Sequence, residues 1–103
     1  LGGRLPTISE LRTLIQNCPA TEPGGECEAT DDCLSSACWN PPCDGCGYDQ
    51  SGKYSVFGDT NWFWSSSELL ENADDAWRVG FINGSVGGYY EIPSHYFYVR
   101  CVR

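Results

Sequence analysis

Seven cysteines hold most of the chemical potential of this 103-residue chain: Cys18, Cys27, Cys33, Cys38, Cys43, Cys46 and Cys101. In so short a chain, cysteines at this density stand in for a core too small to hold the fold alone, and disulfides persist in oxidising compartments. Thiolate metal ligation is the competing chemistry. Cys43 and Cys46 have the spacing of half a zinc site, but a second Cys-x-x-Cys and a neighbouring histidine are missing. The close, irregular spacings suit staples across a looped segment better, so the pattern predicts disulfides and an exported protein. Seven is odd. Three bridges leave one thiol over, and spacing alone leaves about 105 arrangements open.

Other chemistry is thinner. His95 is the sole histidine, which excludes any site built on two or three histidines. A Cys–His nucleophile pair would require a reduced cysteine, so His95 reads as a turn residue between two strands. Fourteen acids without a spacing motif define no carboxylate pair for glycoside hydrolysis. An enzyme is not expected. Asp31, Asp32, Asp44 and Asp49 do place carboxylates on loops, the setting in which calcium is held. Their spacing is not that of a helix-loop-helix calcium site, and solvated loop charge is the competing reading. Aromatic rings exceed what a small core can bury. Trp39, Tyr48, Trp62, Tyr89, Tyr90 and Tyr96 are therefore candidates for a sugar- or protein-binding surface, against a merely half-buried sheet face.

Charge narrows the partners. Six basic residues against fourteen acidic ones give a net charge of -8, which repels phosphate backbones and anionic membranes. Nucleic-acid binding is not expected. No apolar stretch approaches the ~20 residues of a membrane span, so no insertion by this segment is expected. The absence of methionine predicts a chain processed or excised from a longer product.

These residues need elements to position them. Thr7-Ile8-Ser9-Glu10 is a capping box, and Ile8, Leu11, Leu14 and Ile15 recur at helical spacing. The pattern predicts a helix over 8–17, ended by Pro19. Residues 18–51 show no sustained period and read as a Cys-rich loop excursion ordered by its staples. Acidity concentrates over residues 22–75, with twelve carboxylates and one base, Lys53. Beyond it, residues 76–82 alternate, with Trp77, Val79 and Phe81 on one face, and Trp64 and Trp77 are assigned to the core. Asn83-Gly84 predicts a type I′ hairpin turn, followed by a strand over 85–92. A last strand over 96–103 and another near 61–66 complete a single α+β domain spanning 1–103.

Arg4-Leu5-Pro6-Thr7, the helix with Glu10-Leu11 and Leu14-Ile15, Trp64-Ser65-Ser66-Ser67, Ala76-Trp77-Arg78-Val79-Gly80-Phe81, and Tyr98-Val99-Arg100-Cys101-Val102-Arg103 together resemble one family. It is the domain family named for the C-terminal domain of the Legionella collagen-like protein, close to the Fibrobacter succinogenes major paralogous domain. The resemblance spans almost the whole chain. Gly3 replaces the family's usual aromatic, and Gly52-Lys53-Tyr54 stands where Cys-rich relatives carry Gly-Cys-Tyr.

The resemblance implies a C-type lectin-like fold, related to formylglycine-generating enzymes, in a bacterial surface or secreted protein. The lectin Glu-Pro-Asn and Gln-Pro-Asp calcium signatures are absent. In lectin-like folds a disulfide joins the first helix to the final strand. That implies a Cys18–Cys101 pair, with two further pairs among Cys27, Cys33, Cys38, Cys43 and Cys46. The alternative puts Cys18 in the central cluster and leaves Cys101 free. The family's named member binds sulfated polysaccharides, but a net charge of -8 opposes polyanions. The expected function is therefore non-enzymatic extracellular binding or adhesion, directed at a neutral glycan or a protein. The alternative is a self-associating subunit of a surface fibre, pilus-like filament or trimeric stalk.

Overall fold

The computed structural model describes residues 5–90, with backbone alone for Asn72, Ala73, Tyr89 and Tyr90. Helix α1 spans Ile8–Arg12 and starts on the expected capping box: Thr7 accepts from the Glu10 amide, and Glu10 accepts from the Thr7 amide. It is shorter than the 8–17 its periodicity predicts. After Arg12 the chain tightens, with the Leu14 and Ile15 amides reaching back only to Leu11 and Arg12. Ile15 then pairs with Ser55 as an isolated antiparallel bridge. The Gln16 amide donates to the Tyr54 carbonyl and the Val56 amide to the Leu14 carbonyl. These long-range bonds take the groups that another helical turn would have used. Asn17 sits at φ 60° and turns the chain away.

The sheet is an antiparallel meander in the order β1-β2-β3, comprising β1 (Trp62–Leu69), β2 (Asn72–Gly80) and β3 (Ser85–Tyr90). Together with α1 it makes a small α+β domain. Alternation divides its faces. Phe63, Trp77, Val79 and Val86 are buried in one core with Ile8, Leu11 and Ile15 of the helical segment, and Phe81 meets Phe63 edge-on at 5.4 Å. Burying each such side chain contributes roughly 1.5–3 kcal/mol, which is why this stripe and this face define the fold. Trp62, Trp64, Arg78, Gly80, Ser85 and Gly87 share the opposite face by register. Trp64 and Trp77 are both buried, as expected.

β1 contains a bulge. Ser65, Ser66 and Ser67 lie between pairs that on β2 are separated by Trp77 alone. The Ser65 hydroxyl donates to the Trp77 carbonyl at 2.7 Å, replacing ladder bonds lost to the bulge. Ser66 donates its amide to the Pro6 carbonyl, and Ser67 Oγ accepts from the Ile8 amide at 2.9 Å. The serine run therefore fastens the start of α1 to the sheet.

The β2–β3 connection is not the two-residue turn that Asn83-Gly84 predicts. Gly80 pairs with Ser85, leaving a four-residue loop in which Gly84, at φ 69°, is left-handed. Long-range bonding explains the wider loop. The Ile82 carbonyl accepts from the Asp49 amide, and the Asn83 carbonyl accepts from the Cys46 amide at 2.7 Å.

Three disulfides staple the excursion: Cys18–Cys46, Cys27–Cys43 and Cys33–Cys38. The Cys18–Cys101 pair is therefore not formed. The pairing that the resemblance implies puts Cys18 at the end of the first helix, whereas the helix ends at Arg12 and the turn at Asn17 carries Cys18 to the β2–β3 loop. A Cβ on Gly84 would stand 3.0 Å from that of Cys18. Cys101, His95, Tyr96 and the strand expected over 96–103 lie outside the described residues.

Arg12 organises the same excursion from within. It is buried, and its guanidinium donates to the carbonyls of Thr21, Cys27, Ala29 and Glu22 at 2.6–3.0 Å. Burial lowers its pKa from the ordinary arginine value. The charge is accommodated because its planar fork meets four backbone acceptors at once.

Candidate binding cleft

Where the stapled excursion meets the sheet, a cleft of about 270 Å³ opens between rings from separate elements. Trp39 supplies one wall. It follows a single-turn 3₁₀ helix at Ser36–Cys38 and precedes a second at Pro41–Asp44. Its position is fixed on both sides. Cys38 is bonded to Cys33, while Cys43 is bonded to Cys27. Asn40, next to Trp39, donates to the Glu26 carbonyl and accepts from the Glu28 amide, closing a polar clamp. The ring meets Trp77 edge-on at 5.9 Å yet stays 42% exposed.

Trp62 supplies the other wall, with the Arg78 guanidinium carbon 3.8 Å from its ring centre. Two glycines make the close packing feasible. A Cβ on Gly80 would overlap the Trp62 ring, and one on Gly87 would come within 2.8 Å of the Trp39 ring. Gly80 is paired with Ser85 and Gly87 with Arg78, so the floor is two rungs of one ladder on the same face, either side of the Val79–Val86 rung.

Polar groups complete the lining. Asp44, at the end of the second turn, is exposed, and its carboxylate is engaged by none of the described residues. Gly45 follows it at φ 81°, pressed against the β2–β3 loop where a Cβ would meet Asn83 and Gly84 backbone. Asn83 lines the cleft and accepts from the Ser85 amide. Ser85 also lines it, and its buried hydroxyl has no hydrogen-bond partner among the described residues.

A sequence model of the family described as the Lcl C-terminal domain matches residues 3–103. The chain belongs to that family. Comparison with curated proteins and with solved structures finds no match. In this Lcl C-terminal domain, two segments that carry the resemblance meet directly, since Pro6 and Ile8 bond to the serines that follow Trp64.

Of the binding residues expected from sequence, the domain brings Trp39 and Trp62 together with Asp44. Tyr48 is 76% exposed and does not line the cleft, while Tyr89 and Tyr90 are described by backbone alone. Arg78, Asn83 and Ser85 were not anticipated. The four candidate calcium ligands do not assemble. Asp31 accepts from the Thr7 hydroxyl and the Ser9 amide at the start of α1. Asp32 is exposed nearby, and Asp49 accepts from Ser51 and pairs with Lys53. Hydrogen bonds from Ser51, followed by the Lys53 charge, hold the Asp49 carboxyl below its ordinary range. Among the described residues, no three His, Cys, Asp or Glu side chains gather to hold a metal ion.

A larger open hollow of about 540 Å³ lies beside the start of α1, lined by Thr7, Asp31, Leu34 and the β1 bulge. Of the carboxylates lining it, Asp31 already serves the start of the helix.

Proposed function

We propose that this Lcl C-terminal domain is a non-enzymatic binding module of an exported bacterial protein, recognising a neutral glycan or a protein surface. The carrying observation is the cleft between Trp39 and Trp62, two rings held by separate elements around the Asp44 carboxylate, which none of the described residues engages. Aromatic walls with a few convergent polar groups are the usual composition of a ligand site. An extracellular setting accords with three disulfides in a short chain. No helix among the described residues is long and apolar enough to cross a membrane. A C-type lectin-like fold belongs to the same reading, through the family. A neutral-glycan array probed with the domain, with and without calcium, tests it. Binding is expected to selected glycans, and silence in both arms would overturn the glycan reading.

A further inference from the structure

We infer that the cleft holds a single uncharged pyranose ring, directly and without calcium. This rests on the binding-module reading and names the ligand of its cleft. Size comes first. At about 270 Å³ the cleft falls below the ~300 Å³ at which sites for drug-sized ligands begin, which leaves room for one sugar ring. A pyranose is amphipathic: its axial C–H groups make an apolar face, and its rim carries hydroxyls. The indoles of Trp39 and Trp62 suit the first.

The polar lining suits the second. Asp44 only accepts hydrogen bonds and Arg78 only donates them, whereas neighbouring sugar hydroxyls do both. The Ser85 hydroxyl, buried without a partner among the described residues, gains one when a hydroxyl-bearing ligand enters.

Competing ligands fit less well. A sulfated or carboxylated sugar would meet Asp44 inside a chain of net charge -8. A quaternary ammonium would meet Arg78, already stacked on Trp62. Calcium takes six to eight oxygens. Among the described residues Asp44 is the single carboxylate lining the cleft, and they supply too few ligands.

The test is titration of the intact domain with a panel of methyl pyranosides, followed by amide chemical shifts, in EDTA and again in calcium. Saturable shifts at Gly87, Ser85 and Trp39 are expected in EDTA, unchanged by calcium. Trp39→Ala and Asp44→Asn are each expected to weaken binding about tenfold, as loss of a central contact does. Asp32→Asn, outside the cleft, leaves it unchanged. Shifts that require calcium, or a preference for anionic pyranosides, would overturn the inference. Array binding that survives both Trp39→Ala and Asp44→Asn would overturn this cleft while leaving the binding module standing. No binding to any glycan in either experiment would remove this ligand and the glycan reading together.

Discussion

Between residues 18 and 46 the chain is held by six sulfur atoms, one guanidinium and an asparagine clamp. From Trp62 to Tyr90 it is held by a backbone ladder and a buried apolar face. In the sheet, order is spread over many side chains, and losing one leaves its neighbours paired. In the excursion, order is concentrated in a few groups with several partners each. The cleft draws one wall from each region: Trp39 and Asp44 from the first, Trp62 and Arg78 from the second. Its geometry is therefore only as durable as the excursion.

Losing all three staples together should have the largest effect. The three bridges span sequence separations of 28, 16 and 5. Loop-closure entropy assigns them roughly 3.5, 3 and 2 kcal/mol, a sum comparable with the ~5–15 kcal/mol of an ordinary domain. Replacing Cys27 and Cys43 together by serine is expected to lower unfolding free energy by about 3 kcal/mol in denaturant titration. The near-ultraviolet signal from Trp39 packed against Trp77 should fall with it. An unchanged midpoint would mean that the polar clamp alone orders the excursion.

Arg12 comes next. Arg12→Ala strands four backbone carbonyls, three of them bonded in buried surroundings. A loss of about 3–5 kcal/mol is expected, the range for breaking a buried charged network. Arg12→Lys sharpens the comparison, because one ammonium cannot reach four acceptors set around a planar fork. It should recover only part of the loss. Full stability in the lysine variant would show that charge, rather than the fork, holds the excursion.

The same contrast sets what could be read from sequence. Alternation around Trp77 and Val79 fixes a strand locally, and the capping box fixes where α1 begins. The helix end and the Asn83-Gly84 loop depend on acceptors and donors tens of residues away, which no local pattern contains. Connectivity failed for a related reason, since the position of Cys18 follows from where the helix stops. Within the cleft, Trp39, Trp62 and Asp44 were visible as excess rings and loop charge, but not their meeting. Two signals were present and unused. Arg12 occupies the core-facing stripe with Ile8, Leu11 and Ile15, a charge where an apolar side chain belongs. Gly80 and Gly87 sit inside strands, where glycine marks a close approach, here of two tryptophans.

A smaller effect is expected where the helix docks on the sheet. Ser67→Ala removes the acceptor of the Ile8 amide, one of the unpaired donors at a helix start. Left buried, that amide costs about 1–3 kcal/mol. Calorimetry should show the loss, with exchange protection falling first at Ile8. Wild-type stability would mean that Ser66 and Pro6 suffice to fasten the helix.

The smallest expected effect is a pH dependence at the tie between the two regions. Glu71, in the β1–β2 turn, accepts from the Ser35 hydroxyl at 2.6 Å and the Ser36 amide at 2.8 Å, both in the excursion. The Ser35 hydroxyl, then the Ser36 amide, hold its carboxyl below the ordinary range. Asp49 is lowered likewise by Ser51 and then Lys53. A carboxyl whose folded pKa is depressed stays ionised longer in the folded chain than in the unfolded one. The unfolded chain thus binds more protons in acid, and the stabilisation present above the ordinary carboxylate value is lost as pH falls through the folded one. Both groups are solvent-exposed, so screening keeps the effect small. Stability measured between about pH 5 and 3 should decline, and Glu71→Gln should flatten part of that slope. The glutamine still accepts from Ser35 and Ser36 but no longer titrates. A slope identical to wild type would show that acid acts on the domain elsewhere than at this tie.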